Sequence, residues 1–435
     1  MTALKKIIET LLLFSLFFVC SSATSKKFCK KGRPLPLTNI HIIDRNGFAE
    51  TISSKDRIAQ FQNTDFLQPQ PYQKVLLVYG RDLQGKIRSV ATTYYENGNP
   101  KQFIEIVNGR ANGTYAEWHE NGKPRLAAYV IGGTPDLTIA AEKSWVFDGI
   151  SRAWNEDNCL VAEICYDQGS LSGISTYYHT NGQIWRSIPY DKGQINGLVQ
   201  VFKKDGELLM EVNYLAGCKE GKAYRYWPCQ QVASQEEYCQ NRLVQGEYFD
   251  LEGNLVAQVQ EGTGYRATFN SSGIKELQQI NQGHICGEVK VFDEKSQLVR
   301  VYHVKEMVKH GEEIEYYPCS STLKPKISFQ WQNGKIQGIV RTWYPNGNME
   351  SQKEMHDNKK NGVLTAWYQD GNLMLMEEYD AGSLNRGEYY KKGERIAISQ
   401  ITQGKGVATL YDRKGHFLQK IHYLNGKPEL KSGCQ

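Results

Sequence analysis

The chain has 435 residues, with 40 glycines and 26 tyrosines against 13 prolines, and a formal net charge of +5. That mixture suits many short strands joined by tight turns rather than packed helices. It argues against bulk disorder and against a membrane-spanning body.

The first element, residues 1–23, reads as a secretory signal peptide. Lys5 and Lys6 precede the apolar run from Leu11 to Val19, and the small residues Ser21, Ser22 and Ala23 follow it, with cleavage after Ala23. The run is shorter than the roughly 20 residues a transmembrane helix needs, and Glu9 stops its extension. Modification at Cys20, as in a bacterial lipoprotein, is the alternative, although Phe18 and Val19 precede it where a small residue is usual. Cleavage after Ala23 leaves nine of the ten cysteines, an odd number that cannot pair fully within one chain. Export permits disulfides, and Cys229 with Cys239 flanks a segment where a tight hairpin turn is missing, so a bridge there would clip a widened loop.

Residues 24–80 read as a small α+β cap of the kind that closes the exposed end of a repeat array. Its basic start, Lys26 to Arg33, is a solvated tail or a contact for anionic lipid or partner protein. Ile40 to Ile43 predicts a strand, Asn46-Gly47 a turn, Ser53 to Asp56 the start of a short helix, and Lys74 to Tyr79 a second strand.

From 81 to 430 a repeat organises the chain, with 431–435 as a tail. An aromatic residue with glycine five positions before it recurs as Gly113/Trp118, Gly149/Trp154, Gly173/Tyr178, Gly197/Phe202, Gly221/Tyr226, Gly264/Phe269, Gly287/Phe292, Gly311/Tyr316, Gly338/Trp343, Gly362/Trp367 and Gly406/Tyr411. Tyr94 opens the series with Ser89 in the glycine's place. The commonest step is 24 residues; one longer step holds an insertion around Thr134–Trp145, and two others each hide a shortened unit, Gly246 to Phe249 and Gly387 to Tyr390. About fourteen units result. Four residues after the aromatic comes a turn glycine, often preceded by Asn or Asp as at Asn97, Asn121, Asn181, Asp205, Asn346 and Asp370. Such pairs suit two-residue hairpin turns. A second strand follows, often with a trailing tyrosine (Tyr166, Tyr190, Tyr214, Tyr238, Tyr379, Tyr423), and another glycine leads to the next unit.

A lone hairpin is marginal in water, so each unit is expected to bury its aromatic against its neighbours, the glycine leaving room for an adjacent ring. Side-chain alternation then puts Val363, Thr365 and Trp367 on one buried face. The expected fold is an all-β repeat, an elongated twisted array of about 14 β-hairpins forming an open, solenoid-like sheet.

The pattern Gly-x4-aromatic-x-x-Asn-Gly, clearest in Thr176 to Ile184 and Thr342 to Met349, resembles the MORN repeat, and the period with its trailing Tyr-x-x-Gly resembles the bacterial MORN-repeat-variant family. The resemblance covers about residues 85–430. It implies the hairpin fold and links to protein assembly or membranes; members are often labelled antitoxins, a role that fits a cytoplasmic chain better than an exported one. Choline-binding cell-wall repeats share the aromatic-glycine hairpin, but their period and glycine spacing differ.

No nucleophile elbow, phosphate-binding glycine loop or His-Glu-x-x-His helix occurs, and the cysteines lack paired zinc spacing. No enzyme, cofactor, metal or nucleic acid is therefore expected. The residues just after the repeat aromatics, Tyr95, His119, His179, Trp227, Tyr317, Tyr344 and Tyr368, are expected on the opposite face, as binding anchors or as packing that stiffens the ribbon. The function that follows is an exported, non-enzymatic scaffold presenting an extended surface to another protein, at the cell surface, in the periplasm or released. Alternatives are an envelope protein, including a lipoprotein, that binds lipid or glycan, and an antitoxin-like toxin neutraliser.

Overall fold

The computed structural model describes residues 29–30, 33–318 and 322–429, without the side chains of 29, 30, 33, 34 and 229. The signal segment 1–23 with Cys20 and the tail 431–435 lie outside the described residues. The chain divides into two compact units, Met1–Gln230 and Gln231–Gln435. Each is an antiparallel meander in which a strand pairs with its neighbours in sequence.

In the first unit the strand Leu37–Asp44 pairs with Ala49–Ile52 on one side and with Tyr72–Arg81 on the other. Tyr72–Arg81 in turn pairs with Ile87–Tyr94, the first strand of the repeats, so the cap's sheet runs directly into the repeat sheet. Alternation along these strands sends Ile40, Ile42, Val75 and Leu77 to one side, where they pack with Ile52, Phe66, Val90 and Tyr94. The short helix Lys55–Ala59 contributes Ile58 to the same cluster, with Ser54 in extended conformation before it.

The repeat hairpins use two turn types, and the expected assignment is reversed. At the Asn-Gly sites the residue after the aromatic accepts a hydrogen bond from the glycine, as in Gly182 N–H to the His179 carbonyl at 2.9 Å, and its own N–H reaches the carbonyl two beyond the asparagine, Gln183, at 2.8 Å. This is a three-residue loop in which only the glycine (Gly182, φ 84°) is left-handed. The asparagine keeps ordinary φ and uses its side chain instead. The two-residue turns with both φ values positive lie at the other end of each unit: Gln168-Gly169, Lys192-Gly193, Ala216-Gly217, Ala381-Gly382 and Asn425-Gly426. There the glycine N–H donates to the preceding unit, Gly193 to Leu171 and Gly217 to Ile195, both at 2.8 Å.

The buried face also differs from expectation. In most units the register slips by one residue just before the aromatic, at Tyr177/Tyr178, Val201/Phe202, Thr342/Trp343 and Ala366/Trp367 among others. Such a bulge leaves one residue unpaired and bends the strand. The second residue after the repeat glycine is buried (Ser151, Ser175, Val199, Ala223, Val289, Val340), whereas the first is exposed: Ile150 at 49%, Ile174 at 58%, Leu198 at 39% and Val363 at 42%. Trp154, Tyr178, Phe202, Trp343 and Trp367 are half-buried on the outer side rather than in the core. Tyr94 and Phe269 of the series are buried as expected, and the larger core of the first unit takes its rings from Tyr115, Trp145, Phe147 and Tyr177. The repeat glycine adopts positive φ, 82° at Gly173 and 117° at Gly197, and a Cβ there would meet the residue eight positions earlier, Cys165 at 3.5 Å and Pro189 at 3.1 Å. The trailing tyrosine is its cross-strand partner: Gly173 pairs with Tyr190 and Gly197 with Tyr214.

The two shortened units of the second half share one buried device. Glu236 accepts from the Tyr238 and Tyr248 hydroxyls at 2.8 and 2.9 Å, and Glu377 accepts from Tyr379 and Tyr389, both at 2.8 Å. Arg266 bonds Glu236 at 2.7 Å; the corresponding position, second after the repeat glycine, is Ala408 near the chain end. Burial works against the Glu236 charge, but Arg266 and the two tyrosines together hold its carboxyl below the ordinary carboxylate value.

Candidate interaction surface

In the row Tyr95, His119, His179, Trp227, Tyr317, Tyr344 and Tyr368, the tyrosines and histidines form ties between repeats rather than an open face of rings, and Trp227 is buried just before the short 3-10 turn Pro228–Gln230. Tyr95, His119, His179, Tyr344 and Tyr368 each start a three-residue loop, and Tyr317 starts a longer one that closes on Lys324, so these side chains lie across to the next unit. The hydroxyls of Tyr95, Tyr317 and Tyr344 donate to the carbonyls of the next aromatics, Trp118, Trp343 and Trp367, at 2.9, 2.6 and 2.7 Å. Tyr368 donates to the Tyr390 carbonyl at 2.8 Å. His119 and His179 make the same tie through Nε2 to the Trp154 and Phe202 carbonyls at 3.0 and 2.9 Å, and a carbonyl can only accept, so that nitrogen carries the proton. Trp227, Tyr344 and Tyr368 are buried. Burial, with Glu350 adding for Tyr344 and Tyr411 for Tyr368, pushes both hydroxyls up to about 12, so they remain donors near neutral pH.

A second ladder runs beside the first. The side-chain N–H of Asn97, Asn121, Asn181 and Asn346 donates to the next loop's carbonyl, on Glu120, Glu156, Lys204 and Gln369. The same side chains accept, through Oδ1, the N–H two residues on. Asp205 and Asp370 keep only the accepting half, since a carboxylate has no proton to give.

A surface with half-exposed rings lies on the inner side of the first unit. Tyr166, Tyr190 and Tyr214 are half-buried and follow one another at 24-residue intervals, with Leu171, Ile195 and Lys219 as their cross-strand neighbours. They pack against a floor that includes Ile164, Ile188 and Val199, and the buried Ser175 lies in the same layer. Across the floor are Tyr177 and Arg186, whose guanidinium lies 5.0 Å from the Tyr177 ring and 4.6 Å from that of Trp185. The insertion closes one end of this face. Its helix Ile139–Glu142 starts at Thr138, whose hydroxyl accepts the Ala141 N–H, and places Trp145 4.6 Å from Tyr115 and 6.5 Å from Phe147, which is in turn 5.6 Å from Tyr166. The sequence marked the trailing tyrosines by their period, but the burial of the second residue after the glycine (Ser175, Val199) decides that they lie on the core-side face.

Cys239 carries an exposed thiol at the end of the strand Val232–Cys239, and the side chain of Cys229 lies outside the described residues, so their bridge stays an expectation. Among the described residues no group of three or more His, Cys, Asp or Glu is placed to hold a metal ion, and no helix is long and apolar enough to cross a membrane.

No curated protein matches the chain. Among solved structures, the chain is similar to a chain of the Photorhabdus luminescens Tc holotoxin pore at 11% identity, over 89% of this chain and 28% of that one. The TM-score is 0.13, and the likeness carries no argument. The family described as MORN repeat variant matches residues 171–192 and 336–357. Both segments begin in the two-residue link before a repeat glycine and end in the next tight turn, spanning one whole hairpin as the pairing defines it. Residues 171–192 and 336–357 are thus MORN-repeat-variant units, and the chain is a β-hairpin repeat protein that carries them.

Proposed function

We propose that this chain is an exported, non-enzymatic scaffold whose repeat surface binds another protein. The observation that carries the reading is the inner strip of half-exposed rings, Tyr166, Tyr190 and Tyr214, with Arg186 across its floor. Tyrosine and arginine are the residues that protein interfaces favour, because both bring large contact area with a polar end. The repeat supplies such groups at fixed spacing on a rigid support, which lowers the entropic cost of binding. Export rests on the basic, apolar and small-residue segments of 1–23.

The test is capture with the immobilised chain 24–435, using proteins from the surface, periplasmic and secreted fractions of the native host, followed by crosslinking and mass analysis. The expected result is a protein whose retention is competed by soluble chain and reduced by Tyr190→Ala. Retention of lipid vesicles or wall polymer alone would overturn the protein-binding reading. Intact mass of the native chain tests export separately: a start at Thr24 supports it, a lipid-bearing Cys20 makes the chain a lipoprotein, and an uncleaved cytoplasmic form removes it.

A further inference from the structure

We propose that the strip Tyr166–Tyr190–Tyr214 takes a polyproline-II segment that carries acidic residues. The proposal rests on the protein-binding reading and names the chemistry of the partner. The three tyrosines stand on every second strand, so their rings recur at about 9.6 Å, twice the strand spacing. One turn of polyproline II takes three residues and about 9.3 Å. An α-helix repeats every 5.4 Å or so and a β-strand presents one face every 6.6 Å or so; neither keeps step with the rings. An extended proline helix places one residue on each ring for the whole length of the strip.

The chemistry agrees with the spacing. Polyproline II leaves its carbonyls without internal partners, and none of the Tyr166, Tyr190 and Tyr214 hydroxyls has a hydrogen-bond partner among the described residues. The rings therefore offer flat faces for proline and free donors for the backbone, the arrangement by which aromatic-lined grooves bind such segments. Arg186 Nε is buried without an acceptor. Lys219 is the cross-strand partner of Tyr214, and Arg225 is that of Met210, in the same row as Arg186. The carboxylates of these strands lie on the other face, where Glu163 and Glu211 accept from Tyr178 and Tyr226 at 2.7 and 3.0 Å. The strip is thus cationic, and the complementary segment is acidic. Phe147, against Tyr166, marks the end at which the segment stops.

The experiment is fluorescence anisotropy with the chain 24–435 and a labelled 12-residue probe of four Pro-Pro-Glu repeats, about 37 Å long. Saturable binding is expected, at least about tenfold weaker for Pro-Pro-Lys and Gly-Gly-Glu repeats, and at least about tenfold weaker for Tyr190→Ala. The paired charge reversal Arg186→Glu with Lys219→Glu keeps the rings and is expected to shift preference to Pro-Pro-Lys. Ile174→Ser, on the opposite face, is expected to leave binding unchanged. Equal affinity for Gly-Gly-Glu, no saturable binding, or indifference to both strip variants overturns the proposal. So does binding of a polygalacturonate chain in place of the peptide. A captured host protein whose binding ignores the strip variants removes this inference while leaving the protein-binding reading in place.

Discussion

At the residue scale, the same buried carboxylate is handled in two ways. Glu236 has two tyrosine hydroxyls and Arg266; Glu377 has its two tyrosine hydroxyls, and Ala408 stands where the arginine would be. Removing one partner of a buried ion pair leaves an uncompensated charge, so Arg266→Leu is expected to cost about 3–5 kcal/mol in urea unfolding. Arg266→Leu made together with Glu236→Gln should recover most of that loss. The carboxyl of Glu236 lies below its unfolded value, so its stabilisation is full above the ordinary carboxylate range and fades as pH falls through the lowered folded value. Glu236→Gln should therefore flatten the acid limb of the stability–pH curve, and an unchanged limb would mean that Glu236 does not set it. Among the loop ties, Tyr368→Phe keeps the ring and leaves the Tyr390 carbonyl without its donor, an expected loss of about 1 kcal/mol.

At the element scale, each hairpin has one end built for linking and one built for tightness. The Asn-Gly loops spend the asparagine on the next unit, so Asn181→Asp should cost about 1 kcal/mol, because the donor to the Lys204 carbonyl is gone while the local acceptor stays. The tight turns hold Lys192, Ala216 and Ala381 at φ near 48°, where an ordinary side chain is disfavoured. Ala216→Asn should thus raise stability by about 0.5–1 kcal/mol, measured as a shift in the thermal midpoint. At the repeat glycine Gly362 φ is 103°, where any side chain is strained, and a Cβ there would also press on the Glu354 side chain, 3.1 Å from its Cβ.

At the scale of the whole molecule, a repeat array with contacts between neighbouring strands should lose a unit without losing its fold. Deleting residues 173–196 joins Ser172 to Gly197, the equivalent of Gly173, and preserves every strand direction in the first unit. The shortened chain is expected to keep its β spectrum and a cooperative melt. Deleting 173–184 removes a single strand, reverses the direction of all that follow, and should abolish folding. Identical outcomes for the two deletions would contradict the hairpin as the repeating unit.

The sequence alone determined the repeat, its period and the hairpin, because these depend on local geometry: alternation along a strand, and glycine where φ must be positive. It marked the trailing tyrosines and the row beginning at Tyr95 for the same reason. It did not decide which face is buried. The periodic aromatic suggested the core, which holds for Tyr94 and Phe269, yet the bulge before Tyr178 or Trp343 and the burial of the second residue after the glycine (Ser175, Val340) turned those rings to the outer side. Nor did it assign the two glycine turns, since Asn-Gly suits either loop until the partner of the asparagine side chain is known, and that partner lies 23 residues away in Lys204 for Asn181. Contacts between units decided these points: they set burial and side-chain direction, and one residue of register shift reverses both.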